Sequence, residues 1–242
     1  MDLAHVIGAL ADCYGPRGWW PLPSRGGAEG RNEGGYLLSP SQPVGPGGDG
    51  RMASARFEIA VGAILAQNTA WRGASKAVAA VATAGILSPT GILNTPDDQL
   101  AELLRPAGTY RRKAQYVRNL AECWPEIDSA VPTRQYLLGL TAFGPETADC
   151  VLLYCYGVPV FVADAYARRI FSRLGLVGEK PTYERARAYA EANLPREPAY
   201  LAEAHALLVD HAKRRCKARP VCSGCPFGSW CPFGRSIAVK EA

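Results

Sequence analysis

The sequence of 242 residues predicts an all-α protein with about nine or ten helices. From Phe57 onward, apolar residues recur at helical spacing: Phe57, Val61 and Leu65 stand at i, i+4 and i+8, on one face of a helix. Prolines separate successive stretches of this kind. No dipeptide typical of a β-hairpin turn stands between two alternating segments, and only residues 158–162 are expected to be briefly extended.

The elements are predicted in the following order. A first helix covers residues 2–14 and ends at Gly15-Pro16. Between Gly15 and Gly50 lie eleven of the 25 glycines and six of the 19 prolines, so residues 23–55 are predicted to be an irregular insertion. A helix then starts at Phe57, and the later ones are predicted over 72–84, 97–105, 110–124, 132–139, 146–157, 164–176, 182–193 and 198–215. The breakers among them are Pro89, Pro96, Pro106, Pro125, Pro132 and Pro145.

Composition excludes several classes of protein. With 48% hydrophobic and 20% charged residues, the chain is not disordered. No apolar run approaches the roughly 18 residues of a membrane span, and the first residues lack the pattern of a signal peptide. We therefore expect a cytoplasmic protein without a membrane partner. The net charge of +5 permits a polyanionic partner without requiring one.

The eight cysteines fall into two groups. Four are scattered among apolar neighbours and are predicted to be buried: Cys13, Cys123, Cys150 and Cys155. The other four lie close together near the carboxyl end: Cys216, Cys222, Cys225 and Cys231. Four thiolates in one loop can bind zinc or a [4Fe–4S] cluster. A single CxxC pair with one cysteine five residues away on each side favours the cluster, and zinc remains the alternative.

The segment from His211 to Cys231 resembles the iron–sulfur loop of endonuclease III-type DNA glycosylases. It departs from them in one respect, because five residues rather than six separate Cys216 from Cys222. The resemblance implies a [4Fe–4S] cluster held by the four cysteines. Lys213 and Arg215 crowd around the loop and are predicted to contact DNA phosphates; the alternative is a merely solvated charged face.

A second resemblance lies in the stretch from Leu140 to Leu153. Gly144 and Pro145 precede a helix whose unpaired N–H groups and dipole suit a DNA phosphate. With the cysteine loop beside it, this stretch resembles the helix-hairpin-helix of the same superfamily, here at about residues 139–150. Ala142 replaces the first glycine of that motif, so a positive φ there would cost about 1 kcal/mol or shift the turn.

Asp164 follows an extended apolar stretch and opens a helix, which is the usual place of an ordinary N-cap. It also lies eighteen residues after Glu146, where the superfamily has its catalytic aspartate. Cleavage of an N-glycosidic bond builds positive charge on the deoxyribose, and a carboxylate stabilises that charge and orients the attacking water. The resemblance therefore implies that Asp164 is catalytic.

Glu146 occupies the hairpin position where bifunctional members carry a lysine that forms a Schiff base. A glutamate cannot do so, and Lys76 and Lys113 lie in no matching motif. A monofunctional enzyme without strong strand-nicking activity is therefore predicted. Glu146 either complements the helix dipole or takes part in catalysis or base selection.

Three segments resemble the 3-methyladenine branch of the superfamily most closely: 19–21, 57–71 and 144–166. The resemblance implies that Gln67 fills the gap left in the duplex when a base is extruded. Indole faces attract the cationic ring of a methylated purine. The base pocket is predicted to contain Trp19, Trp20, Trp71 and Tyr166, although these rings would serve equally well as core.

The resemblance implies a monofunctional glycosylase acting on duplex DNA with an alkylated purine such as 3-methyladenine. Uracil, hypoxanthine or mismatched thymine is the alternative substrate, read through edge hydrogen bonds to which Asn68 or Asp149 could contribute. A non-catalytic DNA-binding iron–sulfur protein is the third reading. We expect a monomer of two helical lobes with a DNA-binding cleft between them: a six-helix barrel lobe over 56–157 and a cluster lobe over 1–22 and 158–242.

Overall fold

The computed structural model describes residues 2–25 and 50–241, and its regular elements within them are all helical. The all-α prediction is thus confirmed. Twelve α-helices occur in the described chain: α1 Leu3–Tyr14, α2 Gly50–Ala66, α3 Trp71–Thr83, α4 Pro89–Asn94, α5 Asp97–Leu103, α6 Tyr110–Ile127, α7 Arg134–Gly139, α8 Pro145–Tyr156, α9 Ala165–Arg173, α10 Tyr183–Asn193, α11 Pro198–Arg214 and α12 Pro232–Glu241. Short 3₁₀ turns cover Pro23–Arg25 and Arg105–Ala107.

The helix count exceeds the prediction because prolines also begin helices. Pro89 opens α4, where the Ser88 hydroxyl accepts a hydrogen bond from the Gly91 N–H, and Pro232 is the first residue of α12. Pro125 lies inside α6 and does not end it. α2 begins at Gly50, inside the predicted insertion, and residues 26–49 of that insertion lie outside the described residues.

The chain divides into two compact units. The terminal unit comprises Met1–Gly18 and Pro159–Ala242, and the central unit comprises Trp19–Val158. The lobe boundaries and the cleft expected from the sequence stay predictions. No described helix combines the length and the apolar character that crossing a membrane requires.

The central unit is built around α2, which packs against α3, α6 and α8. Phe57 of α2 contacts Trp124 of α6 edge to face, with ring centroids 5.1 Å apart. The fully buried Arg56 donates from Nε to Asp128 over 2.6 Å, so a charge inside this core has its counter-ion.

The terminal unit is built around α11, which packs against α1 and α9, while α10 and α12 also contact α9. Arg17, which is buried, binds Asp210 of α11 at 3.1 Å. The scattered cysteines follow the prediction only in part: Cys150 and Cys155 are buried, Cys123 is half-buried and Cys13 is exposed. The prediction was wrong for Cys13 because the inward face of α1 continues through Tyr14 instead.

Candidate functional site

Asp164 is the N-cap of α9. Its Oδ1 accepts a hydrogen bond of 2.7 Å from the Ala167 N–H, and the residue is only 8% exposed. The predicted N-cap is therefore confirmed, and its assignment as a catalytic carboxylate stays a prediction. The second oxygen, Oδ2, lies 3.7 Å from Nε2 of His205 on α11. Sequence reasoning missed His205, because a lone histidine within an apolar helix carries no motif.

The hairpin between α7 and α8 contains a backbone conformation that suits glycine. Ala142 has a φ of +74°, the costly conformation expected for the residue that replaces a motif glycine. Gly144 has an ordinary φ of −84° and no side-chain cap, and a Cβ added to it would meet no atom within 4 Å. The protein itself therefore does not need a glycine at position 144, and the space beside it is open to an external group.

Two sets of side-chain contacts hold this hairpin in shape. Gln67 Nε2 donates to the carbonyl oxygen of Ala142 over 2.7 Å and to Thr147 Oγ1 over 2.9 Å. Arg134 binds the fully buried Asp149 through two hydrogen bonds of 2.7 and 3.1 Å. Gln67 thus lies against the hairpin in this structure. Asp149 is engaged in packing and cannot read a base edge as the sequence had suggested.

Glu146 lies in the first turn of α8 and is exposed, whereas Lys113 is deeply buried. The Lys113 ammonium donates to the carbonyl oxygens of Leu65 and Ala107 and to Thr69 Oγ1, at 2.7, 2.8 and 2.7 Å. Burial lowers the pKa of Lys113. All three of its N–H groups are used, so this lysine ties the 3₁₀ turn at Arg105–Ala107 to the end of α2.

The three tryptophans form a cluster in the central unit. Trp20 is only 6% exposed and contacts Trp71 and Tyr154 edge to face, with centroid distances of 5.4 and 5.1 Å. Trp19 is half-buried, 6.4 Å from Trp20. Because Trp20 and Trp71 contact each other, a base enters between them only if one ring moves. The indole nitrogens of Trp20 and Trp71 are buried, with no hydrogen-bond partner among the described residues.

Tyr166 belongs to the terminal unit and is half-buried, and the Arg169 guanidinium lies 5.2 Å from its ring centre. Its predicted place in the base pocket stays a prediction. Lys213 is exposed near the end of α11, as a phosphate contact requires. Arg215 is half-buried and donates a hydrogen bond to the carbonyl oxygen of Ser223. This hydrogen bond stabilises the cysteine loop.

The four clustered cysteines are half-buried and line one cavity together with His211 and Phe227. His211 is enclosed: Nδ1 lies 2.9 Å from the Tyr14 hydroxyl and Nε2 lies 3.9 Å from Cys225 Sγ. Burial, with the charge of Arg215, lowers the pKa of His211 to about 4. Within the described residues, no group of three or more His, Cys, Asp or Glu side chains is arranged to hold a metal ion.

Residues 61–196 match the family model described as HhH-GPD superfamily base excision DNA repair protein. A candidate DNA repair glycosylase of Methanocaldococcus jannaschii is 34% identical over 87% of this chain and 86% of its own length. An endonuclease III of Sulfolobus acidocaldarius is 31% identical over 67% of this chain and 75% of its own.

Solved structures show the same fold at lower identity. A non-covalent complex of endonuclease III with DNA gives a TM-score of 0.74 at 19% identity, covering 98% of this chain and 97% of that one. The 3-methyladenine DNA glycosylase of H. pylori gives 0.64 at 21% identity, covering 88% of this chain and 98% of that one. At these identities the likeness concerns the fold alone.

Proposed function

The chain belongs to the HhH-GPD superfamily of base excision DNA repair proteins, and on that premise we propose that it is a monofunctional DNA glycosylase that removes an alkylated purine from duplex DNA. Glycosylase activity is the shared property of the family; the missing lyase step and the choice of base are the finer parts of the proposal. The observation that carries it is the placement of Asp164, a nearly buried carboxylate held at the start of α9.

Asp164 is suited to stabilise a positively charged sugar. The reaction breaks the bond between C1′ and the base nitrogen, and the electron pair leaves with the base, which neutralises a cationic methylated purine. The oxygen of water bonds to C1′, and the proton that this water loses passes to solvent. Because the Ala167 N–H holds Oδ1, the carboxylate needs no reorganisation as charge develops on the deoxyribose. His205 lies beside Oδ2 and limits the rotation of the same group, which makes it a positioning residue.

The monofunctional part of the proposal rests on Glu146 and Lys113. The first turn of α8 carries a glutamate, which cannot form a Schiff base with the sugar, and α8 contains no lysine. The buried Lys113 has all three N–H groups occupied by oxygen acceptors, so its nitrogen is not available as a nucleophile.

The tryptophan cluster supports two classes of base. The faces of Trp19, Trp20 and Trp71 are electron-rich and attract a cationic methylated purine. The two buried indole N–H groups of Trp20 and Trp71 favour a second candidate, a neutral base such as hypoxanthine or uracil, whose carbonyl oxygen would accept from them. Both candidates require movement of a ring, because the two indoles now contact each other.

The cysteine cavity fits a [4Fe–4S] cluster better than zinc. Each thiolate of such a cluster binds a different iron, so the four sulfurs stand farther apart than four ligands of one ion. Four cysteines around one cavity, without an arrangement for a single ion, agree with that requirement. When bound, the cluster would crosslink the loop between α11 and α12 through Cys216, Cys222, Cys225 and Cys231.

The experiment is base release from duplex DNA. The purified protein is incubated with methylated DNA and, separately, with DNA containing uracil or hypoxanthine, and free bases are identified by mass spectrometry. We expect 3-methyladenine or 7-methylguanine, with intact strands before alkali and no borohydride-trapped adduct. Release of uracil or hypoxanthine alone would select the neutral-base candidate, and a trapped adduct would refute the monofunctional assignment. Iron and sulfide analysis tests the cluster, and zinc in their place would contradict it.

A further inference from the structure

The terminal unit contains a basic groove of about 850 Å³, bounded by α9, residues 175–181 and the start of α12. Four cationic residues line this groove, Arg168, Arg169, Arg173 and Lys180, against one acid, Glu179. Arg173 also lines the cysteine cavity, whereas the other four do not, and no sequence motif had singled out any of the five. The concentration of positive charge in one concave surface indicates an anionic ligand.

Two of the four cations are held in place by the cysteine loop. Arg169 Nε donates to the carbonyl oxygen of Cys216 over 2.9 Å, and Arg173 donates to those of Lys217 and Ala218 over 2.6 and 2.9 Å. These carbonyl groups orient the two guanidinium groups without cancelling their charge, and Arg173 Nη1 also donates to Cys216 Sγ over 3.3 Å. The wall of the groove is therefore positively charged before any ligand arrives, and little side-chain entropy is lost on binding.

The other two cations lack such partners in the described structure. Arg168 Nε is buried and has no hydrogen-bond partner among the described residues. Lys180 is exposed on the rim, in a segment where its φ is +47°. A buried donor without an acceptor is unfavourable, so rotation of the Arg168 side chain toward a ligand oxygen in the groove would satisfy it.

The size and spacing of the groove fit a strand of nucleic acid better than a single small anion. Its volume exceeds what one phosphate fills. Arg168 and Arg173 are separated by five positions of α9, about 7.5 Å along the helix axis. Cationic side chains spread along a helix in this way can contact successive phosphates of one strand.

We propose that this groove binds the phosphodiester backbone of duplex DNA, as a contact separate from the catalytic carboxylate; this rests on the DNA glycosylase function proposed above. Arg168 and Lys180 contact phosphates when DNA binds. The oriented guanidinium groups of Arg169 and Arg173 supply a positive electrostatic potential that is present before binding. Contacts of this kind position the duplex without reading its sequence.

The test measures how salt weakens binding to an undamaged duplex. The double variant Arg168→Gln/Lys180→Gln is compared with the wild type by fluorescence anisotropy over a range of NaCl concentrations. Loss of two phosphate contacts lowers the slope of log K against log salt by about 1.8. The matched control is Arg196→Gln, which removes one exposed cation of the same unit outside the groove and should leave the slope unchanged.

A second double variant separates charge from folding. Arg168→Lys/Lys180→Arg keeps both charges and should keep the wild-type slope, while thermal unfolding checks that both double variants fold. A folded Gln/Gln variant with the wild-type slope would overturn the proposal. If the slope of this variant is unchanged and inorganic phosphate binds saturably, the groove binds a small anion instead of DNA. Because undamaged DNA is used, failure to release any base would refute the proposed function and leave this measurement valid.

Discussion

The N-cap residues of helices α8 and α9 have almost the same backbone conformation, but one has no side chain and the other carries a carboxylate. Gly144 and Asp164, their N-cap residues, have φ, ψ of −84°, 174° and −60°, 177°. Asp164 closes α9 by accepting from the Ala167 N–H with its own carboxylate. Gly144 offers no side chain, and the acid of the first turn of α8, Glu146, is exposed. The start of α9 therefore has a side-chain N-cap, and we call it the closed end. The start of α8 has no side-chain N-cap, and we call it the open end.

The difference separates two tasks that need different electrostatics. A carboxylate that caps its own helix is held rigidly and shielded from water, which strengthens its effect on a nearby positive charge. A helix end without a cap keeps N–H groups available for an external anion such as a phosphate. The closed end of α9 therefore suits chemistry, and the open end of α8 suits DNA binding.

The largest effect is expected from Asp164→Asn, which keeps the cap and removes the charge. Asparagine caps helices about as well as aspartate, so the free energy of unfolding should change by less than about 0.5 kcal/mol. The single-turnover rate of base release should fall by at least about 10²–10³-fold. A variant that retains the rate would remove Asp164 from catalysis. A large loss of unfolding free energy would mean that the lower rate of base release results from a destabilised α9.

Gly144→Ala tests the open end of α8. An added Cβ meets no protein atom and the φ of −84° is ordinary, so folding should be unaffected. The methyl group would occupy space where a phosphate approaches, and duplex affinity should fall about tenfold, the equivalent of about 1.4 kcal/mol. Gly8→Ala is the matched control, because its Cβ is equally unobstructed on the exposed side of α1, outside the hairpin. Equal affinities for the two variants would contradict a phosphate contact at Gly144.

The features that could be predicted from the sequence are those that depend on neighbouring residues. Asp164 as an N-cap and Ala142 as the strained position of a turn are both local properties, and both are observed. Even local patterns failed where one residue has two uses, since Pro89 begins a helix where it was expected only to separate helices.

The features that could not be predicted depend on how the helices pack. Gln67 reaches Ala142 across 75 positions of sequence, and His205 reaches Asp164 across 41. Neither distance is encoded in a short motif. The same limitation applies to the tryptophan cluster, where the sequence indicated three large rings and could not show that Trp20 and Trp71 contact each other.

Ala142→Gly tests the turn that leads into the open end of α8. Glycine adopts a φ of +74° without the steric cost of a Cβ, so the variant should be more stable by about 1 kcal/mol in urea unfolding. The bond from Gln67 joins the backbone carbonyl and is retained. Ala84→Gly is the matched control at an ordinary φ of −72°, where the same change should destabilise the protein. A destabilised Ala142→Gly would mean that the methyl group contributes packing that outweighs the strain.

The smallest effect is expected from Glu146→Gln, which removes the exposed acid from the open end. Loss of the favourable interaction with the helix dipole should cost about 0.3–0.5 kcal/mol of stability. Duplex affinity should rise about two- to threefold at low salt, because a like charge no longer opposes the phosphate. Asp98→Asn is the control, since it removes an exposed first-turn acid from α5 and should lower stability similarly without changing DNA binding. If Glu146→Gln instead lowered the rate of base release at saturating DNA, Glu146 would act on the substrate, and the two helix ends would share the chemistry.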